Sequence, residues 1–170
     1  MEKVILVDEN DNAIGEAEKM KAHEDGALHR AFSIFVFNSQ GKLLLQQRAK
    51  HKYHCGGLWT NTTCSHPRSG EETKNAAHRR LKEEMGFDTD LEEVFSFIYK
   101  VKFDNGLHEH EFDHVFVGNW DGDPKINKEE VEDFKWINPE ELKEDVMVNP
   151  DKYTYWFIEA LDKIIEHIKK

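Results

Sequence analysis

The chain has 170 residues, of which 38% are apolar and 34% are charged, and its 34 acidic against 23 basic residues give a formal charge of −11. This length suits one domain covering residues 1–170, and the acidic balance disfavours a nucleic-acid partner. No apolar run approaches the roughly 20 residues that cross a bilayer, and residues 1–8 turn acidic too early for a signal peptide. We therefore expect a cytoplasmic protein with no membrane partner, in which the basic cluster Arg48, Lys50, His51 and Lys52 can still bind a small anion.

The first third of the chain predicts mainly extended structure. Residues 4–7 predict a short strand, and the charged residues 16–25 predict a surface loop or a helical turn. The apolar segments 31–37 and 42–47 are separated by a polar, glycine-containing turn, which predicts a hairpin of two buried strands. The threonine-rich residues 58–64 predict a further extended segment.

A helix is predicted in the middle of the chain. Ser69 and Glu72 form a capping-box pattern, which places the helix start there. Apolar residues then recur at intervals of four as far as Gly86, a residue type that commonly ends helices; they are Ala77, Leu81 and Met85.

The segment after this helix predicts two antiparallel strands. Residues 95–103 alternate with the period of two that is typical of a strand, and Asp104-Asn105-Gly106 predicts a turn. The return strand, residues 107–117, is unusual because titratable side chains replace the expected β-branched ones: His108, Glu109, His110, Glu111, Asp113 and His114.

Two helix starts are predicted near the end of the chain, at Asn138-Pro139 and at Asn149-Pro150. A stripe of four apolar residues indicates a C-terminal helix: Phe157, Leu161, Ile164 and Ile168. Strands, a central helix, more strands and terminal helices together predict an α+β fold, an α/β sandwich with a mixed β-sheet flanked by helices.

Two cysteines, Cys55 and Cys64, are expected to be reduced thiols in a cytosolic protein. Cys64 precedes His66 by two residues on an extended segment, so both side chains point to one face, about 7 Å apart along the strand. A lone cysteine is more often a small buried apolar residue, but the polar flanks of Cys64 favour a functional role. Cys55 is assigned to packing or chance.

Glu109 and Glu111 share one face of their strand. Two carboxylates aimed at one place repel each other unless a cation or a shared proton lies between them, and a divalent metal is the simpler explanation. His108 and His110 point to the opposite face, where we expect them to be solvated.

Residues 65–87 resemble in their spacing the Nudix box, a loop–helix–loop that presents carboxylates to a magnesium diphosphate. The match is partial, because Ser65 replaces the first Gly and Arg80 replaces the Glu on which a hydrolase would build its metal cluster. The alternative is an ordinary amphipathic helix with ion pairs such as Arg80 with Glu84.

Longer motifs, over nearly the whole chain, resemble the type I isopentenyl-diphosphate isomerases, a branch of the Nudix fold. The most specific piece is Trp59-Thr60-Asn61 followed by Cys64-Ser65-His66-Pro67. It is accompanied by similar segments at residues 28–33, 42–48 and 83–86. The sequence Tyr53-His54-Cys55-Gly56 departs from the family, in which an apolar-Pro-Gly segment is expected.

The resemblance implies a function and a set of site residues. The function is the interconversion of isopentenyl and dimethylallyl diphosphate by a monomer or homodimer. One divalent ion, Mn²⁺, Zn²⁺ or Mg²⁺, would be bound by His23, His29, His66, Glu109 and Glu111. A Mg²⁺ that bridges the diphosphate would be bound at Glu84. Diphosphate contacts would come from Lys19, Arg48, Lys52 and Arg80. Catalytic roles would fall on Cys64, Glu111, Tyr99 and Trp156.

The double-bond shift needs an acid and a base on opposite sides of the substrate, and Cys64 and Glu111 fit these roles. We expect His66 and nearby cations to favour a Cys64 thiolate. Trp156 and Tyr99 would face a carbocation with their rings; without the resemblance, ordinary core packing beside Phe157 is the favoured interpretation of Trp156. Two alternatives remain open: a Nudix hydrolase of a nucleoside diphosphate derivative, and a metal-dependent binding module without catalysis.

Overall fold

The computed structural model describes residues 2–52 and 55–168. Within these residues the strands are β1 Lys3–Val7, β2 Ala13–Glu18, β3 His29–Phe37, β4 Leu43–Arg48, β5 Trp59–Thr60, β6 Thr63–Ser65, β7 Glu92–Lys102, β8 His108–Asn119 and β9 Val131–Ile137. The helices are α1 Lys19–Asp25, α2 Thr73–Met85, α3 Pro139–Val148 and α4 Tyr155–Ile168, and a single 3₁₀ turn spans Pro150–Lys152. Tyr53 and His54, which lie in the segment that departs from the family pattern, fall outside the described residues.

Strand β3 lies at the centre of a mixed sheet. It runs parallel to β8, from the pair His29 and Glu111 to the pair Phe37 and Asn119. Its other pairings, with β1, β4 and β6, are antiparallel. Strand β7 extends the sheet beyond β8, and β9 pairs with β4. The predicted mixed sheet flanked by helices is confirmed.

The predicted hairpin of β3 and β4 is correct only at its turn. The two strands pair at Phe37 and Leu43, and then β6 takes the place beside β3. Thr62 bridges β3 and β4 beyond this pair. Its hydroxyl accepts from the Val36 amide at 2.9 Å and donates to the Leu44 carbonyl at 2.7 Å. This side chain supplies the hydrogen bonds that direct pairing would otherwise make, and the parted strands admit the segment that carries Cys64.

The start of α2 also differs from the prediction. The helix begins at Thr73 after Glu72, whose backbone is extended, and the Ser69 hydroxyl donates to Glu16 on β2 instead of capping the helix. The predicted end is confirmed: Gly86 has φ of 73° and its amide donates to the Lys82 carbonyl. A side chain at Gly86 would also place Cβ 2.5 Å from the Lys125 carbonyl oxygen.

Three further segments differ from expectation or went unidentified. Residues 16–25, predicted as a loop or helical turn, form the end of β2 and helix α1. The Asn138-Pro139 start is confirmed, since the Asn138 side chain accepts from the Glu140 amide at 2.8 Å. Asn149-Pro150 starts only the 3₁₀ turn, and α4 begins at Tyr155. The sequence reasoning did not identify β9, whose apolar and charged residues do not alternate regularly.

The sheet buries apolar side chains on both faces. Along β3, Phe35 and Phe37 pack with α3 and α4, whereas Phe32, Ile34 and Val36 pack with α2. This alternation follows from the period of two, which sends successive side chains to opposite faces. In the described residues no helix is long and apolar enough to cross a membrane.

Replacing Phe157 with alanine should lower the free energy of unfolding by about 3–5 kcal/mol, because it leaves a cavity in the core. Phe157 is fully buried and lies 6.0 Å from Phe35 and 5.8 Å from Tyr153, ring centre to ring centre. Ile168, in the same predicted stripe, is 40% exposed, so Ile168→Ala should cost less than about 1 kcal/mol. Urea denaturation measures both, and equal losses would contradict this packing of α4.

Candidate active site

The unusual strand β8 directs three carboxylates into the protein. Glu109, Glu111 and Asp113 share one face by their spacing of two, and each is at least 95% buried. The parallel pairing with β3 sets His29 beside Glu111, and the antiparallel pairing with β7 sets Tyr99 on its other side. His108 and His110 point to the other face and are half-buried there, not fully solvated as predicted; His110 contacts the Gly26 carbonyl through Nδ1 at 3.2 Å.

Three histidines from separate elements surround the Glu111 carboxylate. His29 Nε2 lies 3.1 Å and His66 Nε2 lies 2.9 Å from Glu111 Oε2. One ligand atom from each of His23, His29, His66 and Glu111 lies within 4.8 Å of the others. Glu109 is adjacent, with its Oε2 3.9 Å from His23 Nε2. The structure thus brings all five sequence-predicted ligands of the histidine site together.

This cluster has the donor chemistry of a divalent metal site. The Nδ1 atoms of His23 and His29 lie 2.7 and 2.9 Å from the Lys19 and Ala27 carbonyls, so each donates from Nδ1 and leaves a lone pair on Nε2. Burial lowers the pKa of His66 to about 4 and also lowers that of His23, which favours the neutral form of these two rings. Imidazole lone pairs and carboxylate oxygens that converge on one point repel each other unless a cation lies between them. The buried His/Glu group is therefore able to hold a metal ion.

Tyr99 links the two carboxylates of the cluster. Its hydroxyl donates to Glu111 Oε1 at 2.5 Å and lies 3.4 Å from Glu109 Oε1. Burial, reinforced by the charges of Glu109 and Glu111, raises the pKa of Tyr99 well above its usual value. The phenol therefore remains protonated and can hold or pass on a proton at Glu111.

Cys64 faces the same cavity from β6, where it pairs with Ser33 of β3. Its Sγ lies 4.0 Å from Nη1 of Arg48. Burial nevertheless raises the pKa of the Cys64 thiol, because the effect of Arg48 is opposed by Glu84, Glu111 and Asp113. Loss of hydration and the neighbouring carboxylates thus favour the protonated thiol over the expected thiolate.

Trp156 serves packing and also lines the cavity. Its indole Nε1 donates to Asn61 Oδ1 at 3.2 Å, and the ring is 3% exposed. The Arg48 guanidinium lies 5.4 Å from the ring centre, which is a cation–π distance. Cys55, by contrast, packs against the apolar core with φ of 55°, and burial raises its pKa to about 12.

Glu84 reaches the cavity from the last turn of α2. Its Oε2 accepts from Nη2 of Arg80 at 2.5 Å, and its Oε1 accepts from the Gln46 amide at 3.0 Å. Gln46 also donates to the Thr62 carbonyl at 2.7 Å, so it connects the helix to the segment before Cys64. Sequence reasoning did not find Gln46, because a polar side chain within a strand gives no sign in the sequence that it is buried.

One cavity collects nearly all of the predicted site residues. Its lining includes Lys19, Arg48, Lys52, Cys64, His66, Arg80, Glu84, Tyr99, Glu109, Glu111 and Trp156. His23 and His29 are fully buried behind Glu109 and Glu111. The lining also includes Glu130, which sequence reasoning did not find and which contacts Lys52 and Arg80. Four cations, a thiol and a carboxylate–phenol pair therefore line one cavity.

The fold and the site define a protein of the NUDIX class, and residues 27–157 match the NUDIX domain family. Within that class, the chain belongs to the family of the isopentenyl-diphosphate Delta-isomerases. It is 57% identical over 164 residues to isopentenyl-diphosphate Delta-isomerase 2 of Aromatoleum aromaticum, covering 96% of this chain and 87% of that relative. It is 54% identical to the isopentenyl-diphosphate Delta-isomerase of Serratia proteamaculans, covering 92% and 88%.

Solved structures support the fold. The crystal structure of DR0079 from Deinococcus radiodurans superimposes with a TM-score of 0.80 at 21% identity, over 95% of this chain and 98% of that one. The MutT protein of Methanosarcina mazei Go1 gives a TM-score of 0.69 at 16% identity, over 84% and 96%. At these identities the likeness shows a shared architecture and leaves the reaction to be argued from the site.

Proposed function

We infer that this chain is an isopentenyl-diphosphate isomerase, which interconverts isopentenyl and dimethylallyl diphosphate in isoprenoid biosynthesis. The observation that carries this inference is the single cavity in which the Cys64 thiol and the Tyr99–Glu111 pair lie together with four cations. Relatives that are more than 50% identical over nearly the whole chain carry the name of this activity.

The reaction adds a proton to one alkene carbon and removes a proton from the carbon on the far side of the double bond. The protonated thiol of Cys64 is able to donate a proton, and the carboxylate of Glu111, hydrogen-bonded to Tyr99, is able to accept one. The two groups come from different strands, β6 and β8, and line the same cavity, so a substrate bound there can contact both. In the reverse direction the same two groups exchange roles.

The positive charge that develops on the substrate needs an environment without water. The Trp156 ring lines the cavity and is almost completely buried, so its π face can meet that charge without attacking it. Lys19, Arg48, Lys52 and Arg80 would hold the diphosphate by charge-assisted hydrogen bonds and so position the hydrocarbon chain.

Two divalent ions fit the donor sets that the cavity offers. We propose that His23, His29, His66, Glu109 and Glu111 hold Mn²⁺, Zn²⁺ or Mg²⁺, and that Glu84 holds a Mg²⁺ together with the diphosphate. When bound, these ions neutralise the charge of buried carboxylates and of the diphosphate. Both cysteines are free, which agrees with a reducing, cytoplasmic location.

Hydrolysis of a nucleoside diphosphate derivative is the alternative, and α2 gives little support for it. A Nudix hydrolase builds its metal cluster from several carboxylates on this helix. Among the described carboxylates of α2, only Glu84 lines the cavity, whereas Glu83 is held outside it by Arg79 and Arg80.

Incubation with isopentenyl diphosphate and Mg²⁺ in D₂O tests the proposed reaction. We expect dimethylallyl diphosphate to form and deuterium to enter the isoprenoid carbons, because each turnover exchanges protons with groups that equilibrate with solvent. Proton NMR and mass spectrometry measure both. Release of phosphate from nucleotide substrates, without deuterium incorporation, would instead establish the hydrolase.

A further inference from the structure

Glu130 is a cavity residue to which the proposed function assigns no role. It lies just before β9, and its position is determined from two sides. The Ala49 amide, at the end of β4, donates to the Glu130 carbonyl at 3.1 Å. The Glu130 amide donates to the Asn127 carbonyl at 2.9 Å, and the Asn127 amide donates to the Glu84 carbonyl at 2.9 Å. The loop before β9 is thereby attached to the end of α2.

The Glu130 carboxylate contacts two of the cations that would bind the diphosphate. Its Oε2 accepts from Nζ of Lys52 and lies 3.3 Å from Nη2 of Arg80. Burial alone would raise the pKa of Glu130, but Lys52, Arg80 and Lys19 outweigh it and lower that pKa. The carboxylate is therefore ionised, and it shares the cations with any anion that enters.

Glu130 also lies on the outer side of the cavity. Its side chain is 27% exposed and that of Lys52 is 20% exposed, whereas Glu111 at the histidine cluster is only 7% exposed. An entering diphosphate therefore meets Lys52 and Arg80 while they are engaged by a carboxylate. A diphosphate carries more negative charge than one carboxylate and more acceptor oxygens, so it can take over these donors.

We propose that Glu130 is the internal counter-ion of the diphosphate subsite, holding Lys52 and Arg80 until the diphosphate replaces it and so limiting the affinity for substrate and product. This inference rests on the proposed function for the identity of the ligand. The physical basis is competition between Glu130 and the diphosphate for the same cations. Only the molecules in which Lys52 and Arg80 are released from Glu130 can bind, and the affinity is reduced by the fraction that they represent. Substrate and product carry the same diphosphate, so the lower affinity also speeds the release of product.

Isothermal titration with inorganic diphosphate in the presence of Mg²⁺ tests the proposal on the full chain. Glu130→Gln keeps the size of the side chain and removes its charge, so Kd for diphosphate should fall by about tenfold. Glu130→Asp keeps the charge on a shorter side chain, so its Kd for diphosphate should lie between those of Glu130→Gln and the parent. In steady-state assays the KM of Glu130→Gln for isopentenyl diphosphate should fall in parallel.

Glu83→Gln is the matched control. Glu83 pairs with the same guanidinium, its Oε2 lying 2.8 Å from Nη1 of Arg80, but it does not line the cavity. Its removal should leave Kd within about twofold of the parent. Unchanged or weaker diphosphate binding by Glu130→Gln, an equal gain by Glu83→Gln, or no diphosphate binding by the parent would overturn the proposal. If the titrations gave the expected Kd values but the protein did not isomerise isopentenyl diphosphate, only the proposed function would be contradicted.

Discussion

Replacing Cys64 with alanine is expected to lower kcat for isomerisation by about 10⁴-fold, because in the proposed function the thiol exchanges the proton on one side of the substrate. The thiol lines the same cavity as Tyr99 and Glu111, and burial raises its pKa, which favours the protonated form. The fold should survive, since Cys64 is a small, partly buried side chain at the rim of the core. Steady-state kinetics measures the loss of activity, and thermal unfolding verifies that the protein remains folded.

Cys55→Ala is the matched control for this variant. Cys55 is the other free cysteine, packs against the same apolar core and is not among the residues that line the cavity. Its replacement should leave kcat within about twofold of the parent. If Cys64→Ala retained turnover, or if both variants lost activity equally, the thiol would have no part in proton transfer.

Replacing His29 with alanine is expected to abolish tight binding of one divalent ion per chain. Nε2 of the ring lies beside Glu111 Oε2, and Nδ1 is anchored on the Ala27 carbonyl, so the proposed ligand is already oriented without the ion. Even the loss of a residue that only orients a ligand weakens metal binding by about 10–100-fold, and the loss of a ligand should weaken it more. Glu109→Gln, which keeps the shape of its side chain, should also lose one tightly bound divalent ion per chain. Elemental analysis of the purified protein measures the metal content.

His110→Ala is the control for the metal prediction. His110 lies between Glu109 and Glu111 on β8, but it faces the other side of the sheet and contacts the Gly26 carbonyl. Its removal should leave the metal content unchanged, because strand geometry directs it away from the histidine cluster. A full metal complement in His29→Ala would refute the ligand set. A loss in all three variants would indicate a general effect on β8.

Local patterns were sufficient for those parts of the site that depend on neighbouring residues. The spacing of two placed Glu109 and Glu111 on one face, and the segment from Trp59 to Pro67 indicated the family. The helix end at Gly86 and the cap at Asn138 were also predictable, because a left-handed cap and an N-cap side chain act within one turn. The false cap at Ser69 shows the limit of this reasoning, since a distant partner, Glu16, took its hydroxyl.

Residue identities and their spacing were enough to predict which chemical groups the protein has and the mixed α+β fold that holds them. Where these groups meet depends on long-range pairing: parallel pairing of β3 with β8 joins His29 to Glu111 across 82 positions, and Thr62 separates β3 from β4 so that the segment with Cys64 enters the sheet. The tertiary structure also decided the charge of the thiol and brought Glu130 to the cations. The physical reason is that hydration and charge at a buried site are set by all of its neighbours in space, most of which are remote along the chain.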